Sequence, residues 1–166
     1  MIRLEDPVPV THVTLGVINA LAQCMAKSVE ELLVYQKAAT AEAKVSKLIR
    51  RPALKQDLRL RTALAASSEQ TGSLIAEGFE QSTDRHFAQY CYRAKATCAE
   101  MRNQLRVATN REFITETERS YLHDLYLEIA RMLSGLIDHL EREDRKQRRP
   151  KKRPKKEPDP RGETNP

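Results

Sequence analysis

The sequence predicts an all-α protein, an antiparallel up-down-up-down four-helix bundle followed by a disordered basic C-terminal tail. Ala, Leu, Glu, Arg and Lys dominate the 166 residues, only 5 Gly are present, and most of the 8 Pro lie near the C-terminus. This composition favours helix over sheet. Four segments carry apolar residues at three- and four-residue steps, and short connections between such helices make neighbours antiparallel.

The first two helices are predicted at about residues 29–50 and 54–77. Ser28 and Glu31 have the spacing of a capping box, in which each side chain binds the other residue's backbone N–H. Pro52 closes the first helix, because the residue before a proline disfavours the helical conformation. The second helix has the weakest apolar stripe, with small polar residues at core positions, and Gly78 is its predicted C-terminal stop.

The third and fourth helices carry the clearest patterns. Ser82 or Thr83 is predicted to cap the third helix, whose apolar residues recur as far as position 108, ahead of a turn at 109–112. Thr115 and Glu118 form a second capping-box pattern. They open a fourth helix at about 116–146, whose core stripe is predicted to be Leu122, Leu125, Ile129, Met132, Leu133, Leu136, Ile137 and Leu140.

These patterns divide the chain into an N-terminal extension at 1–27, a bundle at 28–144 and a tail at 145–166. Residues 8–26 are fairly apolar but match neither an export signal nor a membrane span well. We interpret the extension either as a short extra helix or strand or as an over-extended start, since Met25 opens a sensible N-terminus. The expected location is the cytoplasm, without membrane contact.

Positive charge is concentrated in the tail. Residues 141–166 contain 11 Lys/Arg and 6 Asp/Glu, and residues 145–156 contain nine Lys/Arg and no acid. Such a segment cannot bury apolar surface, so disorder is predicted. It would be attracted to a polyanion through counterion release. A solubilising tail and a contact with an anionic membrane are the competing explanations.

The chemistry of a catalytic or metal site is not evident. The four His (12, 86, 123 and 139) have no partner at metal-ligand spacing, and no Glu-x-x-His pair of a di-iron bundle occurs. No phosphate-binding loop is present. Cys91 and Cys98 lie two helical turns apart, too far for a disulfide, and the three cysteines are interpreted as small buried hydrophobes. We therefore expect no enzyme and no cofactor.

Four segments resemble a known family: LLVYQKA at 32–38, SLIAEGFEQSTDRHF at 73–87, CAEMRNQL at 98–105 and EIARMLSGLIDHLE at 128–141. Together they are similar to the four-helix-bundle protein family that includes the ribosomal-RNA intervening-sequence proteins and the accessory variability proteins of diversity-generating retroelements. The resemblance covers about residues 30–141. The chain departs from it at Ala65 and Ala66, where members often carry paired basic residues, and at Gly72-Ser73-Leu74, where they often carry Pro-Ser-Asn.

The resemblance implies a bundle that assembles into a ring-like homopentamer. For the retroelement branch it also implies binding to nucleic acid and to a reverse transcriptase. The family motifs make seven residues structural or oligomer candidates: Tyr35, Gln36, Glu77, Gly78, Phe87, Arg131 and Gly135. Among these, Glu77 is expected to pair with a basic residue on a neighbouring helix, and Gly135 to allow close packing of a helix within or between subunits.

The leading functional hypothesis is a non-enzymatic homo-oligomer that binds RNA or DNA electrostatically, as an accessory factor to a reverse transcriptase. The alternative is a structural or protein-interaction bundle of the intervening-sequence type with no nucleic-acid role. For a charged helix face the competing explanation is simple solvation, with the acidic fourth helix complementing the basic third. The nucleic-acid candidates are Lys44, Lys47, Arg50, Arg51, Arg93, Lys95, Arg102, Arg106, Arg145, Lys146, Arg148, Arg149, Lys151, Lys152, Arg153, Lys155 and Lys156.

Overall fold

The computed structural model describes residues 26–148, and this part of the chain is all-helical. It contains a 3₁₀ turn at Val29–Glu31 and the helices α1 (Leu33–Leu48), α2 (Pro52–Lys55), α3 (Leu58–Phe79), α4 (Asp84–Asn110) and α5 (Glu116–Arg148), with no strand within those bounds. The all-α prediction is confirmed. The predicted N-terminal extension up to residue 25 and the tail from residue 149 lie outside the described residues.

Each of the four long helices packs against two others. α1 contacts α3 and α5, α3 contacts α4, and α4 contacts α5. Three of these helix pairs are antiparallel, because residue numbers fall along one helix as they rise along its partner. The contacts Ser67–Gln104 and Thr71–Thr97 show this for α3 and α4, and Asp84–Gln147 and Tyr92–Glu141 show it for α4 and α5. The contacts Lys37–Glu128 and Lys44–Tyr121 show it for α1 and α5.

One apolar core runs between these helices. Most of the predicted fourth-helix stripe is buried, although Leu125 and Met132 lie only half-buried at its margin. For the first helix, the sequence predicts an Ala-rich apolar stripe of Leu32, Tyr35, Ala39, Ala43, Val45, Leu48 and Ile49. This stripe is partly wrong, because Ala39 and Ala43 are exposed. The buried face of α1 instead repeats at four- and three-residue steps, through Val34, Ala38, Ala41, Val45 and Leu48.

The start of the first helix differs from the prediction. Ser28 makes no side-chain capping bond, and Glu31 instead accepts a hydrogen bond from the backbone N–H of Lys27 at 2.8 Å. The residue that interrupts the helix is Leu32, whose extended backbone separates the 3₁₀ turn from α1 and whose side chain is completely buried. Burial of this leucine therefore overrides the local capping signal.

The second predicted helix is broken into two. α2 is a single turn that begins at Pro52, and α3 begins only at Leu58. The predicted helix start at residue 54 missed the N-cap at Asp57, whose Oδ1 accepts a hydrogen bond from the Leu60 backbone N–H at 2.9 Å. Asp57 also forms an ion pair with Arg111, next to the end of α4, so this N-cap joins two corners of the fold.

Gly78 does not end α3 in the predicted way. The helix continues to Phe79, and no described glycine has a positive φ. Gly78 instead allows close packing, because a Cβ atom there would lie 2.7 Å from both Phe87 Cδ2 and Tyr90 Cβ. The positive φ that ends a helix occurs at Glu112 (61°), beyond α4. There the N–H groups of Glu112 and Phe113 bind the carbonyls of Thr109 and Ala108, as in a Schellman motif.

The last two helix starts follow the sequence signals. Thr83 caps α4 by accepting a hydrogen bond from the His86 N–H. The capping box at α5 is complete, since the Thr115 N–H donates to Glu118 Oε2 at 3.0 Å and the Glu118 N–H donates to Thr115 Oγ1 at 3.3 Å. Two of the three predicted N-terminal caps are therefore confirmed.

The predicted tail boundary at residue 145 is wrong, because α5 continues through Arg148. Three cations in this last part each pair with a carboxylate three or four residues earlier, which supports an isolated helix end. Their positive charges also complement the negative C-terminal end of the helix dipole. The pairs are Arg145–Glu141, Lys146–Glu143 and Arg148–Asp144.

Candidate nucleic-acid interface

Positive charge is concentrated where α1 ends and α5 begins. Within residues 44–61 and 106–119, which we name the basic end, ten Lys/Arg stand against four Asp/Glu. Two ion pairs hold its corners together, Arg51–Glu118 between α1 and α5 and Arg111–Asp57 between α4 and α3. The packing of the helix ends therefore gathers cations that are far apart in sequence.

Most cations of the basic end have no carboxylate partner. Three of the four acids there are engaged, by Arg51, Arg111 and Arg119. Within the described region no ion pair involves the remaining seven cations, which are Lys44, Lys47, Arg50, Lys55, Arg59, Arg61 and Arg106. Cations without a carboxylate partner at this helix junction can contact an external anion.

A groove of about 220 Å³ crosses this end between α1 and α5. Its floor is apolar, and its rim carries three cations, one carboxylate and one aromatic ring. The lining residues are Lys44, Lys47, Leu48, Arg51, Glu118, Tyr121 and Leu122. Lys44 and Lys47 share a face of α1 because they are three residues apart, and Arg51 lies just beyond the end of α1, at the N-cap of α2.

Tyr121 is the aromatic residue of the groove, and the sequence analysis missed it. Its ring is 55% exposed, and Lys44 Nζ lies 5.9 Å from the ring centre. This distance lies within the range of a cation–π contact. The sequence signal was its position one residue before the buried stripe of α5, but its pairing with Lys44 depends on how α1 packs.

Glu118 is the one carboxylate of the groove, and its negative charge is neutralised locally. The hydrogen bond from Arg51 and that from the Thr115 backbone N–H lower the pKa of Glu118 to about 2. The same contact raises the pKa of Arg51. The carboxylate thus remains ionised but is occupied by its own partners, which leaves Lys44 and Lys47 as the uncompensated charges.

This shift predicts an acid-sensitive contribution to stability. Because the folded-state pKa of Glu118 lies below its usual value of 4.5, the stabilisation is complete above about pH 5 and is lost as pH falls through 2. We expect Glu118→Gln to cost about 1 kcal/mol at pH 7, after allowance for solvent screening, and only a small part of that at pH 2, where about half of the folded molecules carry the protonated acid. Urea unfolding across this range measures the effect. Glu69→Gln, at an exposed α3 position, should cost little at pH 7, and a cost of Glu118→Gln that kept its full size at pH 2 would contradict the assignment.

The candidates on α4 form a second, weaker surface. Lys95, Arg102 and Arg106 share a helix face because they are seven and four residues apart. Arg102 Nε donates to the Cys98 carbonyl, and Arg106 donates to Asn103 Oδ1 at 2.9 Å. Arg93 lies elsewhere, with its guanidinium 5.2 Å from the Tyr90 ring centre. The acids of α5 that form ion pairs with other elements do so with Lys37 of α1 and with Arg51 just after α1, not with a cation of α4.

The described C-terminal candidates are already paired. Arg145, Lys146 and Arg148 each contact an acid on their own helix, so the structure does not bring them to the basic end. The antiparallel packing places them at the opposite end of α5. The remaining tail candidates lie outside the described residues; they are Arg149, Lys151, Lys152, Arg153, Lys155 and Lys156.

Comparison with known proteins identifies the family. The family described as 23S rRNA-intervening sequence protein matches residues 30–135, which is more than half of the chain. This chain belongs to the 23S rRNA-intervening sequence protein family. Neither a curated protein nor a solved structure matches it. The match supports the ribosomal-RNA branch of the resemblance found in the sequence.

The motif residues of this intervening-sequence family member are mainly structural in the described chain. Gln36 Nε2 donates to the Glu30 carbonyl at 2.7 Å and so holds the 3₁₀ turn against α1. Phe87 covers Gly78 and meets Phe79 edge to face, with ring centres 6.1 Å apart. Tyr35 lies half-buried against the core.

Three other motif residues lack the contacts expected of them. Glu77 is exposed, and the described part of the chain shows no ion pair to it, so the expected pairing with a neighbouring helix is wrong. Among the described residues, a Cβ atom at Gly135 would have no neighbour within 4 Å, so close packing against residues 26–148 is not the reason for this glycine. Arg131 is exposed. Contacts between subunits at these positions stay a prediction.

Residues 26–148 show neither the pattern of a metal site nor that of a membrane span. They contain no group of three or more His, Cys, Asp or Glu that could hold a metal ion, and no helix long and apolar enough to cross a membrane. Burial raises the pKa of both Cys91 and Cys98 to about 12. Thiols of this kind remain protonated and are poor nucleophiles. The predicted interpretation of these two cysteines as small buried hydrophobes agrees with their complete burial.

Proposed function

We propose that this intervening-sequence family member is a non-enzymatic four-helix bundle that assembles with copies of itself and binds nucleic acid through its charge. In the proposed arrangement α1, α3, α4 and α5 run up-down-up-down, and α2 is part of the connection between the first two. The family resemblance implies a pentamer. A reverse-transcriptase partner is implied only for the retroelement branch of the resemblance.

The observation that carries the nucleic-acid proposal is the excess of unpaired cations at the basic end. Ten cations face four acids there, and three of those acids are occupied by ion pairs. Cations that contact phosphates release the counterions condensed on the nucleic acid, which favours binding without regard to base sequence. The basic end therefore supplies a binding surface that does not depend on the tail.

Assembly would strengthen this binding. Each subunit brings one basic end and one tail, and linked sites raise the effective concentration of the second contact once the first has formed. The tail follows α5 at the end opposite the basic end, so the two can contact separate stretches of one polyanion. Weak contacts in each subunit then give useful affinity for the whole assembly.

The test compares the full chain with a variant in which Arg149, Lys151, Lys152, Arg153, Lys155 and Lys156 are replaced by glutamine. This variant keeps the chain length and every ion pair of α5. We expect binding to a labelled RNA to weaken and its dependence on salt to become shallower, by about 0.7–0.9 in the log–log slope for each lost phosphate contact. A residual salt dependence should remain because the basic end is intact.

Two results would overturn the proposal. If the full chain showed no salt-sensitive affinity for RNA or DNA at physiological ionic strength, the nucleic-acid role would be wrong. If light scattering on the same sample gave a monomer at all concentrations, the assembly would be wrong. If the glutamine variant bound as tightly as the full chain, the tail would not be part of the binding site, and the basic end alone would account for the affinity.

A second candidate function is a bundle that docks another protein. The observation that favours it is Leu58, which is 69% exposed at the first residue of α3. An exposed leucine alone is common on protein surfaces. This candidate predicts that binding to the partner is insensitive to salt and is lost in Leu58→Ser, whereas nucleic-acid binding in the leading proposal is unaffected by that change.

A further inference from the structure

The described part of the chain has two strongly exposed tyrosines in different electrostatic surroundings, Tyr121 near the start of α5 and Tyr92 on α4, beside the last turns of α5. Tyr121 is 55% exposed in the groove with Lys44, Lys47 and Arg51. Tyr92 is 51% exposed, and its hydroxyl donates to Glu141 at 2.9 Å. The two rings therefore offer similar area to solvent, and what differs is the charge around them.

Around Tyr92 the positive and negative charges are equal in number, and the tyrosine hydroxyl already has a hydrogen-bond partner. The cavity beside it has a volume of about 350 Å³, and its charged lining consists of two cations and two acids, Arg85, Arg145, Glu141 and Asp144. Arg145 pairs with Glu141, and the hydrogen bond to that carboxylate raises the pKa of Tyr92. A polyanion gains little by approaching this ring.

The surroundings of Tyr121 carry an excess of positive charge. Three cations line its groove against Glu118 alone, and Arg51 and the Thr115 N–H already occupy that carboxylate. At about 220 Å³ the groove is smaller than the range of roughly 300–1,000 Å³ typical of small-molecule pockets. A surface of this kind suits a segment of a polymer that lies across it.

An exposed ring beside a row of cations can contact both parts of a nucleotide. The ring offers a face on which a base can stack, and the cations contact the phosphates on either side. Lys44 now lies near the ring, and its flexible stem allows its ammonium group to turn toward a phosphate. The bases of a duplex are already stacked on each other, so only an unpaired base can use the ring.

We propose that the groove at Tyr121 is a stacking site for single-stranded nucleic acid, with Lys44 and Lys47 as its phosphate contacts. The proposal rests on the proposed function and adds the class of ligand. It makes Tyr121 the residue that separates single strands from duplexes, while the cations of the basic end bind both. No base-specific hydrogen bond is involved, so the site accepts any sequence.

The test measures binding of three tyrosine variants of the full chain by fluorescence anisotropy. The probes are labelled oligo-U and oligo-dT of about 12 nucleotides, which is within the usual length of a single-strand site, and a duplex of the same length. We expect Tyr121→Ala to weaken single-strand binding about 5- to 150-fold, the range found when a base-stacking ring is removed. Tyr121→Phe keeps the ring and should bind as the parent does.

Tyr92→Ala is the matched control, because it removes an equally exposed ring from balanced surroundings. It should leave all three affinities unchanged, and duplex binding should be unchanged in every variant. The slope of affinity against salt should also stay the same in Tyr121→Ala, because no cation is lost. Unequal losses for oligo-U and oligo-dT would show which strand the ring prefers and would support stacking.

The failures of the two proposals give different results. If Tyr121→Ala bound single strands as tightly as the parent, with the salt slope intact, the stacking site would be wrong and the electrostatic function would stand. An equal loss for the duplex would also refute stacking. If the parent bound none of the probes in a salt-dependent way, the proposed function itself would fail.

Discussion

Replacement of Lys47 and Arg50 by glutamate is expected to lower nucleic-acid affinity on the order of a hundredfold in about 50 mM salt. Both side chains are exposed at the end of α1 and have no carboxylate partner in the described structure. Each phosphate contact adds about 0.9 to the log–log salt slope, so loss of two contacts should lower the slope by nearly two. Repulsion by the new carboxylates adds to the loss.

The control for this experiment must separate the surface from the net charge. Arg85→Glu with Arg142→Glu makes the same change in net charge on exposed residues of α4 and α5 at the opposite end of the fold. We expect this pair to lower affinity only slightly, with the slope nearly unchanged. If both pairs reduced binding equally, net charge would account for the affinity, and the basic end would not be a site. Thermal unfolding of both variants checks that each is folded.

The sequence could predict the long helices because their signals are local and repeated. α4 and α5 carry apolar residues at helical spacing over most of their length, and Thr83 and Thr115 cap them as expected. The errors lie where a local signal competes with packing. Ser28 and Glu31 have the right spacing for a cap, but complete burial of Leu32 requires an extended residue just before α1.

The phase of α1 could not be read reliably for a similar reason. Alanine is compatible with both the core and the surface, so a stripe rich in alanine fits more than one helix face. The structure buries Ala38 and Ala41 and exposes Ala39 and Ala43. That choice depends on which side of α1 meets α3 and α5.

The sequence could predict which charged residues belong to the candidate site, but not which other residues lie beside them. Lys44, Lys47 and Arg51 could be identified as basic residues at the end of the predicted first helix. That Tyr121 lies beside them, and that Arg51 occupies Glu118, follows from the antiparallel packing of α1 on α5. Contacts between residues about 70 positions apart leave no local pattern, so a single sequence does not reveal the groove.

The basic run that begins at Arg145 belongs partly to α5 and partly to the sequence beyond it. The basic run begins at Arg145, which suggested disorder, yet acids one turn earlier at Glu141, Glu143 and Asp144 stabilise the helix through Arg148. The run thus has two parts. Its first cations, up to Arg148, form ion pairs that stabilise α5. The cations from Arg149 onward are therefore the better candidates for contact with an external partner.

Gly78→Ala is expected to destabilise the fold by about 1–3 kcal/mol, the usual cost of an overpacked contact. The new Cβ atom would lie 2.7 Å from Tyr90 Cβ, which is fixed to the backbone of α4, and equally close to Phe87 Cδ2. The phenylalanine ring can rotate away, but Tyr90 Cβ can move only with the helix. The substitution therefore pushes α3 and α4 apart where they approach most closely at this junction.

Gly72→Ala is the matched control, since it makes the same chemical change in the same helix. A Cβ atom there would have no neighbour within 4 Å, so only the backbone effect remains, and replacement of a helical glycine by alanine stabilises by about 0.5–1 kcal/mol. Melting temperatures should move in opposite directions, by about 2–4 °C for each kcal/mol in a chain of this size. If both variants were stabilised, the contact of Gly78 with Tyr90 would be looser than the structure shows. If both were destabilised, Gly72 would also face a close neighbour, one that residues 26–148 of its own subunit do not supply.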